Sequence, residues 1–140
     1  MNNKAIVNWK KGMAFDAEIN SHHIIMDSSK EHGGEDKGAR PKPLLLAAIG
    51  GCSGMDIVSI LEKMKIVPDE FLIDIESHIT EDHPKIYDEI HLIYKFKGAN
   101  LSHQLAQIEK AVKLSMERYC GVSAMLGKAA KITYSVEIED

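Results

Sequence analysis

Two cysteines, Cys52 and Cys120, carry whatever thiol chemistry this chain can do, and their settings differ. Cys52 lies in PLLLAAIGGCSGMDIVSILEKMK, Pro43 to Lys65, the longest apolar run in the sequence. Apolar surroundings raise a thiol's pKa and leave it inert unless a cation is brought to it. Cys120 opens a short final helix, where unpaired N–H groups favour a thiolate. On these rules alone Cys120 is the more acidic thiol and Cys52 the structural one. No CxxC pair is present. In a reducing compartment two such distant cysteines are not expected to form a permanent disulfide, whereas a transient catalytic one is compatible with that setting.

The other reactive residue types form no motif. His22 and His23 would point to opposite faces of a strand, and the rest of the seven histidines are scattered without HExxH or Cys/His spacing, so metal binding is not expected. Gly33-Gly34 and Gly50-Gly51 belong to no phosphate cradle, and no cofactor is implied. Arg40 and Arg118 are the only guanidinium groups that could serve a thiolate or a peroxide oxygen; taken singly, each reads as solvated surface. A net charge of −4 with signs mixed along the chain leaves no basic face for a nucleic acid or an anionic membrane. The opening MNNKAIVNWKKG lacks the apolar core of a signal peptide, and a cytoplasmic protein is expected.

The elements that must position the cysteines can be read from periodicity. Apolar residues cover almost every direction of a helix from Leu44 to Leu61, and Ser53, Asp56, Ser59 and Glu62/Lys63 form the one polar stripe, the only part expected to see polar surroundings. Gly50, Gly51 and Gly54 cost about 1 kcal/mol each in a helix interior. Their benefit is either close approach of a neighbouring element or room beside the Cys52 sulfur. The glycines and Asp56 make the run too short and interrupted for a membrane span. Ala5–Trp9, Met13–Ile19 and His23–Met26 read as a small antiparallel meander, and residues 27–42 as an exposed loop without apolar period. Phe71, Ile73 and Ile75 lie on one long strand; Ile86, Ile90, Leu92, Tyr94 and Phe96 share the inner face of a second, antiparallel to it. A helix follows, capped by Asn100 or Ser102, with Leu105, Ile108, Val112 and Ser115 inward; then comes a third helix over 122–130 and a half-buried strand over 132–138. The order βββ-α-ββ-α-α-β predicts an α+β fold in one domain, residues 1–140, with helices on one face of antiparallel sheet. The apolar surface of the first helix exceeds what one chain of this length covers, which implies a second copy.

RPKPLLLAAIGGCSGMDIVSILEKMK, followed by MERYCGVSAMLGKAAKITYSVEI, resembles the paired signatures of the OsmC/Ohr family of organic hydroperoxide resistance and osmotically inducible proteins. The match is nearest to a small bacterial branch with GGCS-x-x-D-V/I-V-S-I-L in the first helix and K/R-Y-C-x-V in the second, and it runs from Val7 to Glu137. The resemblance implies antiparallel sheets around a long central helix in an intertwined homodimer. It also implies a thiol peroxidase of the oxidative stress response: Cys52 is oxidised by an organic hydroperoxide to a sulfenic acid, Cys120 resolves it as a Cys52–Cys120 disulfide, and a dithiol reductant, lipoyl-type in kind, reopens the bond. Family peroxidases use an arginine to hold the cysteine ionised and a glutamate in a P-x-E or P-E segment to hold that arginine. Here Lys42-Pro43 stands where the glutamate is expected. Arg40 is the nearest candidate arginine, Glu35 and Asp36 are replacement carboxylates in the same loop, and Lys42 is an alternative source of positive charge. The missing glutamate favours a second function, an OsmC-like stress or binding protein that holds a lipophilic small molecule with little or no peroxidase activity; the retained cysteine pair favours the enzyme.

Overall fold

The structure is a computed structural model that describes residues 2–140. Its chain forms two compact units, one ending at Ala47 and the other beginning at Ala48. In the first, β1 (Ala5–Lys11), β2 (Ala14–Ile19) and β3 (His22–Met26) form the expected antiparallel meander, with Trp9 opposite Phe15 and Ala17 opposite Ile24. The loop that follows is more ordered than its composition suggests. Asp27 is buried, and its carboxylate accepts the backbone N–H groups of Ser28 at 2.7 Å and of Glu35 and Lys37 at 3.2 Å each. The loop is thus wound around a buried acceptor, with a 3-10 turn at Lys30–His32. Two glycines are required there: a Cβ at Gly34 would lie 2.1 Å from the Ser28 carbonyl oxygen, and one at Gly38 2.2 Å from that of Ile25. The Ser28 N–H above all, then those of Lys37 and Glu35 and the Arg40 charge, hold the Asp27 carboxyl below its ordinary range against the opposing effect of burial.

In the second unit the strands are β4 (Glu70–Ile79), β5 (Tyr87–Lys97) and β6 (Lys131–Glu139), in the spatial order β4-β5-β6. The β4–β5 pair is antiparallel as expected. The β5–β6 pair is parallel, which corrects the reading of a wholly antiparallel sheet. Between the two strands the chain crosses back through a 3-10 turn (Leu101–Gln104), α2 (Leu105–Leu114), a π turn (Ser115–Tyr119) and α3 (Gly121–Leu126), and so re-enters the sheet in its original direction. Ile90, Leu92, Tyr94 and Phe96 on β5 are at most 1% exposed, and Phe96 stacks on Phe71 with centroids 4.3 Å apart. The inner face begins at Tyr87 rather than Ile86. Asp88 is an extra residue in the register, opposite the step from His78 to Ile79, so the alternation shifts by one and Ile86 is left exposed.

The central helix, α1, runs from Pro43 to Lys63. It buries Ile49, Gly50, Ser53, Ile57 and Leu61, one face at three- and four-residue spacing. A Cβ at Gly50 would lie 2.7 Å from Ile75 Cδ1 and one at Gly54 3.1 Å from Ile73 Cδ1, so close packing on β4 explains these two glycines. At Gly51 a Cβ would meet nothing within 4 Å. The polar stripe divides along the helix: Ser53 is fully buried and Asp56 half-buried, while Ser59, Glu62 and Lys63 are exposed as expected, and the apolar Met55 and Val58 are also exposed, at 77% and 54%. By length and composition α1 could also cross a membrane, against the expectation, and 28% of its most apolar 18 residues are buried within the chain.

On α2 the inward residues are Ile108, Ala111 and Val112, with Leu101 before and Ser115 after them, whereas Leu105 is exposed. Neither expected cap acts as one. Asn100 adopts a left-handed conformation with no side-chain cap bond, and Ser102 bonds the Asp140 carboxylate instead. The third helix is shorter than expected, ending at Leu126.

Candidate active site

Cys52 and Asp56 are one turn apart on α1, so they project from the same side of the helix, with Ser53 beside them. The partner element reaches them through the π turn. There the Cys120 N–H bonds the Ser115 carbonyl five residues back, at 2.8 Å, and this wide turn ends α2 and re-aims the chain into α3. Cys120 becomes the N-cap of α3, its sulfur accepting the Ser123 N–H at 3.3 Å. The result brings the two sulfurs and an Asp56 carboxylate oxygen within 4.8 Å of one another. Both cysteines are free; Cys52 is half-buried and Cys120 buried.

A polar cluster underlies these three groups. Ser115 Oγ lies 3.0 Å from Asp56 Oδ2 and 3.2 Å from Ser53 Oγ; its proton goes to the carboxylate, the strongest acceptor within reach. Ser53 Oγ is 2.6 Å from the Tyr94 hydroxyl, which also meets Met116 Sδ at 3.0 Å. Burial pushes the Tyr94 hydroxyl up to about 12, against the pull of its bond to Ser53. Among the described residues no buried side-chain nitrogen or oxygen lacks a partner, so the cluster is satisfied and its geometry fixed.

The helix start does not make Cys120 an acidic thiol. Burial, the largest effect, pushes Cys120 up to about 11. The Ser123 N–H opposes it, and the Cys52 thiol and the Asp56 charge push further in the same direction. The cap expected to favour a thiolate is present, but one N–H does not offset desolvation together with two neighbours of the wrong sign.

The loop residues form a separate group in the unit that ends at Ala47. Arg40 pairs with Asp36 at 2.7 Å and donates to the Gly38 carbonyl at 3.0 Å, while Glu35 pairs with Lys37 at 2.7 Å. Of the two replacement carboxylates, Asp36 is therefore the one that holds Arg40. Lys42 is half-buried and makes no ion pair among the described residues. Arg118, in the second unit, lies over the Tyr119 ring with 5.7 Å to its centroid. Asp56, Ser115 and Tyr94 were not foreseen as site residues. The available signals were the four-residue spacing from Cys52 to Asp56 and a serine on the apolar stripe of α2.

A family model described as OsmC-like protein matches residues 34–135. Protein YhfA of Escherichia coli strain K12 is 37% identical over 136 residues, which span 96% of this chain and 97% of that protein. Among solved structures, a hypothetical protein from Aquifex aeolicus VF5 superimposes with a TM-score of 0.80 at 32% identity, covering 100% of this chain and 99% of the other. An organic hydroperoxide resistance protein OsmC from Legionella pneumophila gives a TM-score of 0.68 at 18% identity over 98% and 97% of the two chains, a likeness of fold.

Proposed function

The chain belongs to the OsmC-like protein family, and from that premise we propose that it is a cysteine-based thiol peroxidase acting on organic hydroperoxides. The observation that carries the proposal is the approach of two free thiols, remote in sequence, to within 4.8 Å. In the reaction the Cys52 thiolate attacks one peroxide oxygen, the O–O bond breaks, and the departing alkoxide takes a proton to leave as an alcohol. Cys52 becomes a sulfenic acid. The Cys120 sulfur then attacks the Cys52 sulfur, water leaves, and a Cys52–Cys120 disulfide forms; a dithiol of lipoyl type reduces it by exchange. The order of roles fits the burial, since half-buried Cys52 can meet a substrate and buried Cys120 can meet Cys52. Of the cations that the family resemblance offers for the thiolate, Arg40 is held by Asp36 at 2.7 Å and Lys42 makes no ion pair among the described residues.

The working unit we propose is a homodimer in the cytoplasm. Its support is uncovered apolar residues on each unit taken by itself: Val7, Trp9 and Ile25 on the first sheet, and Met55 and Val58 on α1. Sedimentation equilibrium should show a dimer at micromolar concentration; monomer alone would refute it.

The same exposed apolar residues favour a second reading, an OsmC-like binding protein for a lipophilic small molecule with little or no peroxidase activity. Consumption of cumene hydroperoxide in the presence of reduced lipoamide separates the two. The enzyme turns over and Cys52→Ser abolishes turnover; the binding protein consumes at most one equivalent.

A further inference from the structure

Cys52, Asp56 and Cys120 present two sulfurs and a carboxylate oxygen within 4.8 Å of one another, on two elements already fixed by packing. We propose that these three side chains form a binding site for a thiophilic divalent cation of the zinc class, with a fourth position open to water. Two thiolates and a carboxylate are ligand types such an ion takes, and three protein ligands leave the arrangement open. Around a tetrahedral ion with bonds of about 2.0–2.3 Å, ligand atoms stand roughly 3.3–3.8 Å apart. The observed separation is thus within about 1.5 Å of the bound geometry, a distance side-chain torsions can close.

The surroundings supply what such ligands need. Ser115 Oγ, 3.0 Å from Asp56 Oδ2, orients the carboxylate, and the Ser123 N–H, 3.3 Å from Cys120 Sγ, points at a sulfur that carries charge when metallated. Among the described residues Asp56 makes no ion pair. Three groups that can each be anionic therefore converge without a paired cation, and a bound divalent ion cancels their mutual repulsion. The ligand set, at positions 52, 56 and 120, matches no local sequence motif, which is why spacing alone does not reveal it. The metal and the disulfide use the same sulfurs and exclude each other, so metal would hold the protein reduced and unreactive. The site requires only reduced thiols and does not rest on the peroxidase reading.

The test is a titration of the reduced, chelator-treated protein with Co²⁺ as spectroscopic probe, followed by displacement with Zn²⁺. The expected result is one ion per chain, a thiolate-to-cobalt charge-transfer band, and release of about two protons per ion from the two thiols. Asp56→Asn, which keeps the shape of the side chain, should weaken Zn²⁺ binding by about tenfold or more with an unchanged circular dichroism spectrum. Cys52→Ser, Cys120→Ser and the disulfide form should each lose the site. The proposal is overturned if no thiolate band appears, or if Zn²⁺ binds equally to the serine variants and the oxidised protein, which would assign it to surface histidines. Unchanged affinity in Asp56→Asn also overturns it. Zn²⁺ binding without peroxide turnover would remove the proposed enzyme and leave this site standing; turnover without Zn²⁺ binding would do the reverse.

Discussion

Reaction with an alkylating agent as a function of pH separates the two thiols and tests the proposal that Cys52, not Cys120, is the nucleophile. Only the thiolate is alkylated at an appreciable rate. Cys120 is 3% exposed, and its pKa is pushed from the ordinary 9.0 to about 11. At pH 7 its thiolate fraction is therefore on the order of 10⁻⁴, about a hundredfold below that of an unperturbed thiol, before any steric protection is counted. Iodoacetamide labelling of the reduced protein, read residue by residue by mass spectrometry, should modify Cys120 at least about a hundredfold more slowly than a thiol in a model peptide. The rate should rise log-linearly past pH 9 and level near 11. In Cys52→Ser the two lesser causes that come from the Cys52 thiol are gone but burial, the largest, remains, so Cys120 should react somewhat faster and still far more slowly than the peptide. Labelling of Cys120 at neutral pH as fast as the peptide would refute the reasoning and restore the helix-start thiolate.

Three further outcomes follow from the packing and the charges. Tyr94→Phe removes the hydroxyl between Ser53 and Met116 but leaves Ser53 its contact with Ser115, so urea unfolding should show a loss of about 1–2 kcal/mol; an unchanged midpoint would show that the cluster contributes nothing. Gly50→Ala should be less stable than Gly51→Ala, because a Cβ at 50 lies 2.7 Å from Ile75 Cδ1 and one at 51 meets nothing within 4 Å; equal stabilities would contradict the packing of α1 on β4. His78 Nδ1 on β4 and Asp88 Oδ1 on β5 lie 2.7 Å apart, and this hydrogen bond is the main cause that raises His78 above 6.5 and lowers Asp88 below 3.8. The His78 contribution is complete below 6.5 and is lost as pH rises through its raised pKa; that of Asp88 is complete above 3.8 and is lost as pH falls through its lowered one. Asp88→Asn should therefore cost most stability between those values and little at pH 9, and a pH-independent cost would count against the ion pair.

The sequence was most informative where one pattern decides one element. The alternation in β5 and the apolar run of α1 locate the core, and the two cysteine motifs identify the family. What stayed hidden depends on contacts between distant residues. The parallel β5–β6 pair follows from the path of the crossover, which no local pattern encodes. The one-residue shift at Asp88 put Tyr87 rather than Ile86 inside, because a bulge changes the face of every residue beyond it. Ser53 looked like part of a polar stripe and is instead buried against Tyr94, a partner contributed by another element. For Cys120 the local signal, a helix start, was real, and burial outweighed it. Asp27 was invisible for a similar reason, since its acceptors are satisfied by backbone N–H groups up to ten residues along the loop.

The central claim, that Cys52 and Cys120 act as one redox pair, is tested most directly by treating the reduced protein with one equivalent of cumene hydroperoxide. Intact mass and non-reducing peptide mapping are then read before and after a dithiol is added. The account predicts loss of two hydrogens per chain, a single Cys52–Cys120 cross-linked peptide, and full reversal by the dithiol. A protein in which Cys52 accumulates as sulfenic or sulfinic acid while Cys120 remains a free thiol would contradict it and leave Cys120 as a core residue.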